Sequence, residues 1–448
     1  MEFIDKKHTT RMMKMRNNII HPGADELIYE IREIVEIGNK IAKTGVPIIW
    51  ENIGDPVAKG EIVPQWIKDI VSDTVKNDNS SYGYSPTEGM LATREYIAKE
   101  RNLEGGAQIV PEDILFFNGL GDAISTVYNY LNKNSRVIGP NPAYSTHSSA
   151  EAAHAGSAHI TYRLDHKNNW YPDLKDLREK VIKYPEISAI LIVNPDNPTG
   201  MVYSQEVIKQ VVDIAREFDL FIISDEIYSN LFYGGADHKK LASVIGDVPG
   251  LAMRGISKEF PWPGSRCGWV EFYNRDKDPK FARYAKTILD AKRLEVCSTT
   301  LPQKVLPKVM GDDRYYPYLA QRNAMYWEKS QIAYEIFSKV PELTVNKTKG
   351  AFYMTVLFNE GVLKEGQSLK PQNSAAGEII KPLLKTDKLD KRFAYYLLAS
   401  RGICVVPLSS GFNSDLYGFR STLLETDIQK FKDIMNTIAD AIREYIKS

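Results

Sequence analysis

Cysteine is scarce: Cys267, Cys297 and Cys404 are the only three in 448 residues, with no CxxC pair and no histidine at ligand spacing. An odd, scattered set provides neither a disulfide framework nor a metal site, and a reducing, cytoplasmic setting is expected. An excess of charge of one sign is also missing. Lys plus Arg and Asp plus Glu number 57 each, so no global positive field exists to gather nucleic acid or an anionic membrane. No apolar run reaches the roughly 18 residues of a membrane span, and no repeat or low-complexity tract is visible. The first sixteen residues carry a basic cluster (Lys6, Lys7, Arg11, Lys14, Arg16) without the apolar stretch or small-residue cleavage site of a secretory signal. It is expected to be an N-terminal arm that contacts a partner subunit.

The remaining composition, 43% hydrophobic and 25% charged, is that of an ordinary globular protein, and the length favours two domains. Short apolar runs alternate with longer amphipathic ones. Ala189-Ile-Leu-Ile-Val193 stops at Asn194-Pro195, helical periodicity follows from about Glu206 to Phe218, and Leu220-Phe-Ile-Ile223 is again short and apolar. Strand, helix, strand is the simplest reading. Asp113-Ile-Leu-Phe-Phe117 before Gly119, and Ser135-Arg-Val-Ile138 before Gly139-Pro140-Asn141-Pro142, repeat the unit. An α/β fold with a largely parallel sheet follows. Beyond about residue 310 long helical stretches dominate, from Tyr318 to Val340 and from about Thr426 to Tyr445, with an apolar run Ala351-Phe-Tyr-Met-Thr-Val356 and a polar interval at about 359–390 that reads as an excursion or lid.

Ligands of such sheets gather beyond the carboxyl ends of the strands, and four strand ends carry chemistry. Ser224-Asp225-Glu226-Ile227-Tyr228 follows a buried run, so Asp225 either caps a helix or holds a cationic nitrogen heterocycle. Gly255-Ile-Ser257-Lys258 places a lysine among apolar and aromatic residues, where an amine can lose its proton and attack a carbonyl. Arg266, in Gly264-Ser-Arg266-Cys-Gly268, can bind a phosphate. Asn118-Gly-Leu120-Gly121-Asp opens onto a helix and offers backbone amides to an anion. Asn194-Pro-Asp-Asn197-Pro-Thr-Gly200 is a turn of fixed path, with Asn197 available to a ring hydroxyl. Alone, each has a plain alternative as an exposed side chain or a rigid connector. Together they supply an imine-forming amine, an acid for a ring nitrogen, a donor for a ring oxygen and a phosphate clamp.

From about Asn52 to Arg420 these motifs resemble the fold type I pyridoxal-phosphate enzymes, specifically the class I/II aminotransferases related to aspartate aminotransferase. The resemblance implies a mostly parallel seven-stranded sheet in a large pyridoxal 5'-phosphate-binding domain (52–310) and a smaller α+β domain (311–448), with 1–51 serving as arm and part of the small domain. It implies that Lys258 carries the cofactor as an imine and shuttles the proton, that Asp225 partners the ring nitrogen, and that Tyr228 and Asn197 bind the ring oxygen. Tyr144, in Asn-Pro-Ala-Tyr, would stack on the ring. Ser257, Arg266 and the amides of Leu120 and Gly121 would form the phosphate cup, and Tyr84, in Tyr82-Gly-Tyr-Ser-Pro-Thr-Glu-Gly89, would reach the phosphate of a neighbouring subunit in a homodimer. Gly54 and Arg420 match the positions that take the substrate carboxylate.

The implied activity is transfer of an amino group from an α-amino acid to a 2-oxo acid by a ping-pong route. A lyase or decarboxylase on the same residues is the alternative, and a transcription regulator would need a DNA-binding domain for which the N-terminal segment has little room. One departure stands out: Gly255 occupies a position where the family usually has serine, with Arg254 as a conceivable replacement donor. A second cation opposite Arg420 would be needed for an acidic substrate, with candidates near Lys292 and Arg293; Trp262 and Tyr353 could instead line a pocket for small or apolar side chains.

Overall fold

The computed structural model describes residues 18–27 and 30–448; the basic cluster from Lys6 to Arg16 lies outside the described residues. The uninterrupted apolar runs become strands covered on both faces, as parallel strands require. They form one eight-stranded sheet in the order Ile114–Phe117, Gly268–Tyr273, Gly250–Gly255, Phe221–Asp225, Ile187–Val193, Arg136–Asn141, Thr161–Asp165 and Tyr171–Pro172. Only Gly268–Tyr273 and Tyr171–Pro172 run against the rest. The sheet thus has the expected parallel character but one strand more than seven. The eighth is a two-residue edge piece folded back on Thr161–Asp165 and anchored by the buried Trp170, too short to leave a periodic signal.

The connecting helices follow from local chemistry. Ser204 accepts a hydrogen bond from the Val207 amide and starts Gln205–Glu217. Ile208, Val211, Val212, Ile214 and Ala215 then fall on one face and are buried, the larger ones contributing about 1.5–3 kcal/mol each by leaving water.

A second, four-stranded antiparallel sheet joins Leu343–Val345, Tyr353–Phe358, Gly418–Thr422 and Val406–Pro407. Its central strand begins two residues later than the apolar run suggests, because Ala351 takes φ 54° and gives its amide to the Leu231 carbonyl. Helices Tyr315–Phe337, Leu389–Arg401 and Ile428–Lys447 accompany this sheet. In the last of these Phe431, Ile434, Met435, Ile438, Ile442 and Tyr445 are buried at helical spacing. Near the other end of the chain, Ile49–Trp50 pairs in parallel with Ile403–Cys404.

The interval at about 359–390, expected as an excursion or lid, is tied down at several points. Gln367 donates to the carbonyls of Val362 and Ile446, the Ser368 amide to Ser448 Oγ, and Asn373 to the Thr44 carbonyl. Leu363, Leu369, Ala376 and Ile380 are buried beneath it. These ties run to the chain's C-terminal helix and to the segment after Glu30–Ala42, where no strand of the large sheet ends. No helix among the described residues is long and apolar enough to cross a membrane.

Candidate active site

Six strands of the large sheet point the same way, so the loops after Phe117, Asn141, Val193, Asp225 and Gly255 emerge on one edge. Lys258 sits on the last of these. Its Nζ donates to the Gly54 carbonyl at 2.7 Å. Burial pulls the amine down to about 8, opposed by the carboxylates of Asp55 and Asp225 and reinforced by the cations of Arg420 and Arg266. An amine in that range is part neutral near physiological pH and can act as nucleophile or proton acceptor.

Asp225 ends its strand. One carboxylate oxygen accepts from the Ile227 amide at 3.0 Å, which satisfies the turn-capping alternative, and the other faces His147 Nε2 at 3.1 Å. His147 Nδ1 lies 3.2 Å from the Tyr128 hydroxyl, and all three side chains are buried. Motif reading did not single out His147. It lies one turn beyond Tyr144 in helix Ser145–Ala155, and the only signal for it was that short spacing from a strand end. Tyr144 itself precedes the helix, half-buried, with its ring edge-on to His147 at 6.2 Å.

Arg420 is buried, not an arginine on a surface strand. Its Nη1 donates to Asn197 Oδ1 at 3.1 Å and its Nη2 to the Asn52 carbonyl. The guanidinium lies between the rings of Tyr353 and Phe412, 4.2 and 5.2 Å from their centroids, while Nε is buried without a hydrogen-bond partner among the described residues. Tyr228 donates from its hydroxyl to that of Tyr353 at 3.2 Å, and burial pushes its phenol far up, so it stays protonated. Gly54 is required here by contact: a Cβ on it would stand 1.9 Å from the Tyr353 hydroxyl oxygen. The structure therefore brings Gly54, Asn197, Tyr228, Lys258 and Arg420 together through Tyr353.

The turn that carries Asn197 is held by Asp196. Its backbone exchanges hydrogen bonds with Met201 and Gly200, and its carboxyl takes the Thr199 amide at 3.0 Å and the Thr199 hydroxyl. Burial pushes this carboxyl up to about 7. A carboxyl that keeps its proton in the fold but not in the unfolded chain adds stability at low pH and loses it as pH rises through the folded value. We expect the Asp196→Asn variant to lose the part of the stability decline between about pH 4 and 7 that this group causes. Chemical denaturation of both proteins across that range measures it, and parallel curves would refute it.

At the end of strand Ile114–Phe117, Gly119 adopts φ 86° as N-cap of Leu120–Asn129, and among the described residues no side chain caps that helix. The first-turn amides of Leu120 and Gly121 are thus left without intrahelical acceptors. Arg266, itself at φ 50°, lays its guanidinium across this turn, with Nη2 3.3 Å from the Asn118 carbonyl and 2.4 Å from where a Gly119 Cβ would be. A Cβ on Gly121 would meet nothing within 4 Å. Ser257 is half-buried nearby in sequence. Amides, helix dipole and guanidinium converge as an anion site requires.

Four further candidates fall elsewhere. Lys292 is fully buried in ion pairs with Asp122, at 2.9 Å, and Glu295, and Arg293 pairs with Asp290 at the surface, so within one chain neither stands opposite Arg420. Arg254 donates to Ser229 Oγ at 2.6 Å and faces Glu259 and Glu271, which removes it as a substitute phosphate donor. Tyr84 is 86% exposed and meets none of these groups in its own chain.

The family model for aminotransferase class I and II matches residues 49–412. An uncharacterised aminotransferase of Methanocaldococcus jannaschii is 55% identical over 97% of this chain and the whole of its own length. The glutamate-pyruvate aminotransferase AlaA of Escherichia coli is 29% identical over 75% of this chain and 80% of its own. An alanine aminotransferase structure from Pyrococcus furiosus superposes with a TM-score of 0.81 at 25% identity, covering 94% of this chain and 99% of that one. The chain belongs to the class I and II aminotransferases, and it is a transaminase.

Proposed function

We propose that this aminotransferase moves the amino group of an α-amino acid to a 2-oxo acid in two half-reactions at one site, with pyridoxal 5'-phosphate linked to Lys258. The observation that carries the proposal is the half-buried Lys258, its amine 2.7 Å from the Gly54 carbonyl and lowered to about 8 by desolvation, beside the buried Arg420 guanidinium held on four sides.

The residues fit the cofactor. Lys258 would hold its aldehyde carbon, Asp225 its ring nitrogen, Tyr228 and Asn197 its ring oxygen and Tyr144 its ring face. Arg266, Ser257 and the uncapped amides of Leu120 and Gly121 would hold its phosphate, joined by the partner subunit's Tyr84 in a homodimer. The near-complete exposure of Tyr84, with Tyr82 and Leu294 also outward, supports that last assignment. The missing serine at Gly255 has a steric reason: a Cβ there would stand 2.9 Å from the Cys267 carbonyl and 3.1 Å from Leu120.

When bound, pyridoxal 5'-phosphate supplies a carbonyl to take up the amino group and a cationic ring to draw electrons from the α-carbon. Arg420 fixes the substrate carboxylate through its planar fork. That contact would orient the α-hydrogen toward Lys258, whose Nζ would accept the proton and later give it back. Asp225, steadied by His147, would hold the ring nitrogen. Tyr228, kept protonated, would turn its hydroxyl from Tyr353 to donate to the ring oxygen.

The names of the alanine and glutamate-pyruvate relatives, and the crowding of Tyr353 against Gly54, direct the first tests to alanine and pyruvate with glutamate and 2-oxoglutarate. A matrix of amino donors against 2-oxo acids should give acceptor-dependent turnover with parallel double-reciprocal lines. Acceptor-independent release of ammonia, pyruvate or carbon dioxide would instead support a lyase or decarboxylase.

A further inference from the structure

We infer that the Glu61–Arg322 ion pair is a positioning device that holds both ends of the hydrogen bond setting Lys258 against Gly54. The inference rests on the proposed role of Lys258 as the reactive amine and assigns what keeps that amine in place.

Arg322 projects from helix Tyr315–Phe337 and is 3% exposed. Its Nη1 donates to the carbonyls of Lys258, at 2.8 Å, and Glu259, at 3.0 Å. The other edge of the guanidinium forks onto Glu61, with Nη2 to Oε2 at 3.0 Å and Nε to Oε1. Tyr326 closes the group by donating to Glu61 Oε2 at 3.0 Å while accepting from Arg322 at 3.0 Å. Tyr318 and Tyr326 hold the guanidinium carbon 5.6 and 5.5 Å from their ring centres.

Glu61 lies at the end of a compact turn. The Lys59 amide bonds the Asp55 carbonyl, Gly60 bonds Val57, and Glu61 bonds Pro56. Its position is therefore passed along a few fixed residues to Gly54, whose carbonyl receives Lys258 Nζ at 2.7 Å. One guanidinium thus grips the backbone of the donor residue directly and the chain of the acceptor residue through its carboxylate partner. Burying such a pair gains little stability over apolar packing of the same volume. What it does give is a fixed relation between three chain segments, and none of its groups is needed for binding the cofactor or substrate in the site described above.

The test uses full-length protein freed of cofactor and two variants, Arg322→Lys and Glu61→Gln. Trace acetylation with acetic anhydride across about pH 6 to 11, read by mass spectrometry, gives the half-labelling pH of Lys258 against the exposed Lys175 as internal reference. The charged groups facing Lys258, namely Asp55, Arg420, Arg266 and Asp225, are the same in all three proteins. Wild type should titrate near about 8. Both variants should move up by about one pH unit or more as the amine is released toward water, and the cofactor-loaded enzymes should lose kcat about 10- to 100-fold from misplacement. An unmoved Lys258 profile with only a lower thermal midpoint would overturn the inference, leaving a merely structural pair. Should Arg322→Lys fail to fold, Glu61→Gln decides by the same criterion. If Lys258→Ala still bound cofactor covalently, the reactive-amine assignment would fall first; if it did not while the labelling profiles stayed fixed, the clamp alone would be wrong.

Discussion

Lys258→Ala should abolish the absorbance band of lysine-linked cofactor and reduce turnover by at least about four orders of magnitude, since covalent attachment and proton transfer are lost at once and a positioned base alone supplies about 10²–10⁴-fold. The variant should nevertheless remain folded. Lys258 makes one hydrogen bond in the site, to Gly54, and leaving that acceptor without a donor costs about 1–3 kcal/mol, a small loss beside the removal of a desolvated amine. Borohydride reduction followed by peptide mapping provides an independent readout: wild type should retain the label on the peptide containing Lys258, and the variant should retain none. A variant with an unchanged spectrum would show that another residue carries the chemistry.

Arg420→Ala should raise KM for amino acid and 2-oxo acid alike and lower kcat/KM by a factor corresponding to about 2–5 kcal/mol, the cost of removing one partner from a buried charge pair. Covalent binding of the cofactor should change much less. The guanidinium is sandwiched between Tyr353 and Phe412 and bonded to Asn197 and Asn52, so truncation also leaves a cavity and unpaired oxygens. Arg420→Lys separates the two effects. It restores volume and charge without the planar fork, so stability should recover toward wild type while KM stays high. Kinetics of Arg420→Ala that matched wild type would exclude the carboxylate role.

The large sheet was legible because its strands are apolar on both faces. Ala189–Val193 and Leu220–Ile223 read as buried runs without any knowledge of their neighbours, and the strand-end rule then pointed to Asn197, Asp225 and Lys258. The antiparallel sheet was harder, since Ala351 diverts the chain for reasons that lie in its amide's bond to Leu231. Groups defined by distant partners were not legible at all. His147 reads as one polar position on a helix until Asp225 is placed beside it. Arg322 finds Glu61 across 261 residues of sequence, with no local pattern to announce the pair. Lys292 was a candidate for the second cation because no local pattern revealed that Asp122 would fold against it. The tyrosine at 353 was noticed only as an aromatic, yet it touches Tyr228, Gly54 and Arg420.

The bond from Arg420 to the Asn52 carbonyl spans 368 residues, and the strand pair beside it joins Ile49 to Ile403. During synthesis on the ribosome, the stretch around Asn52 and Gly54 must wait for 368 further residues before its partner exists. The end of the pocket proposed to take a carboxylate is therefore assembled well after the segments that carry Gly119 and Lys258 have been made.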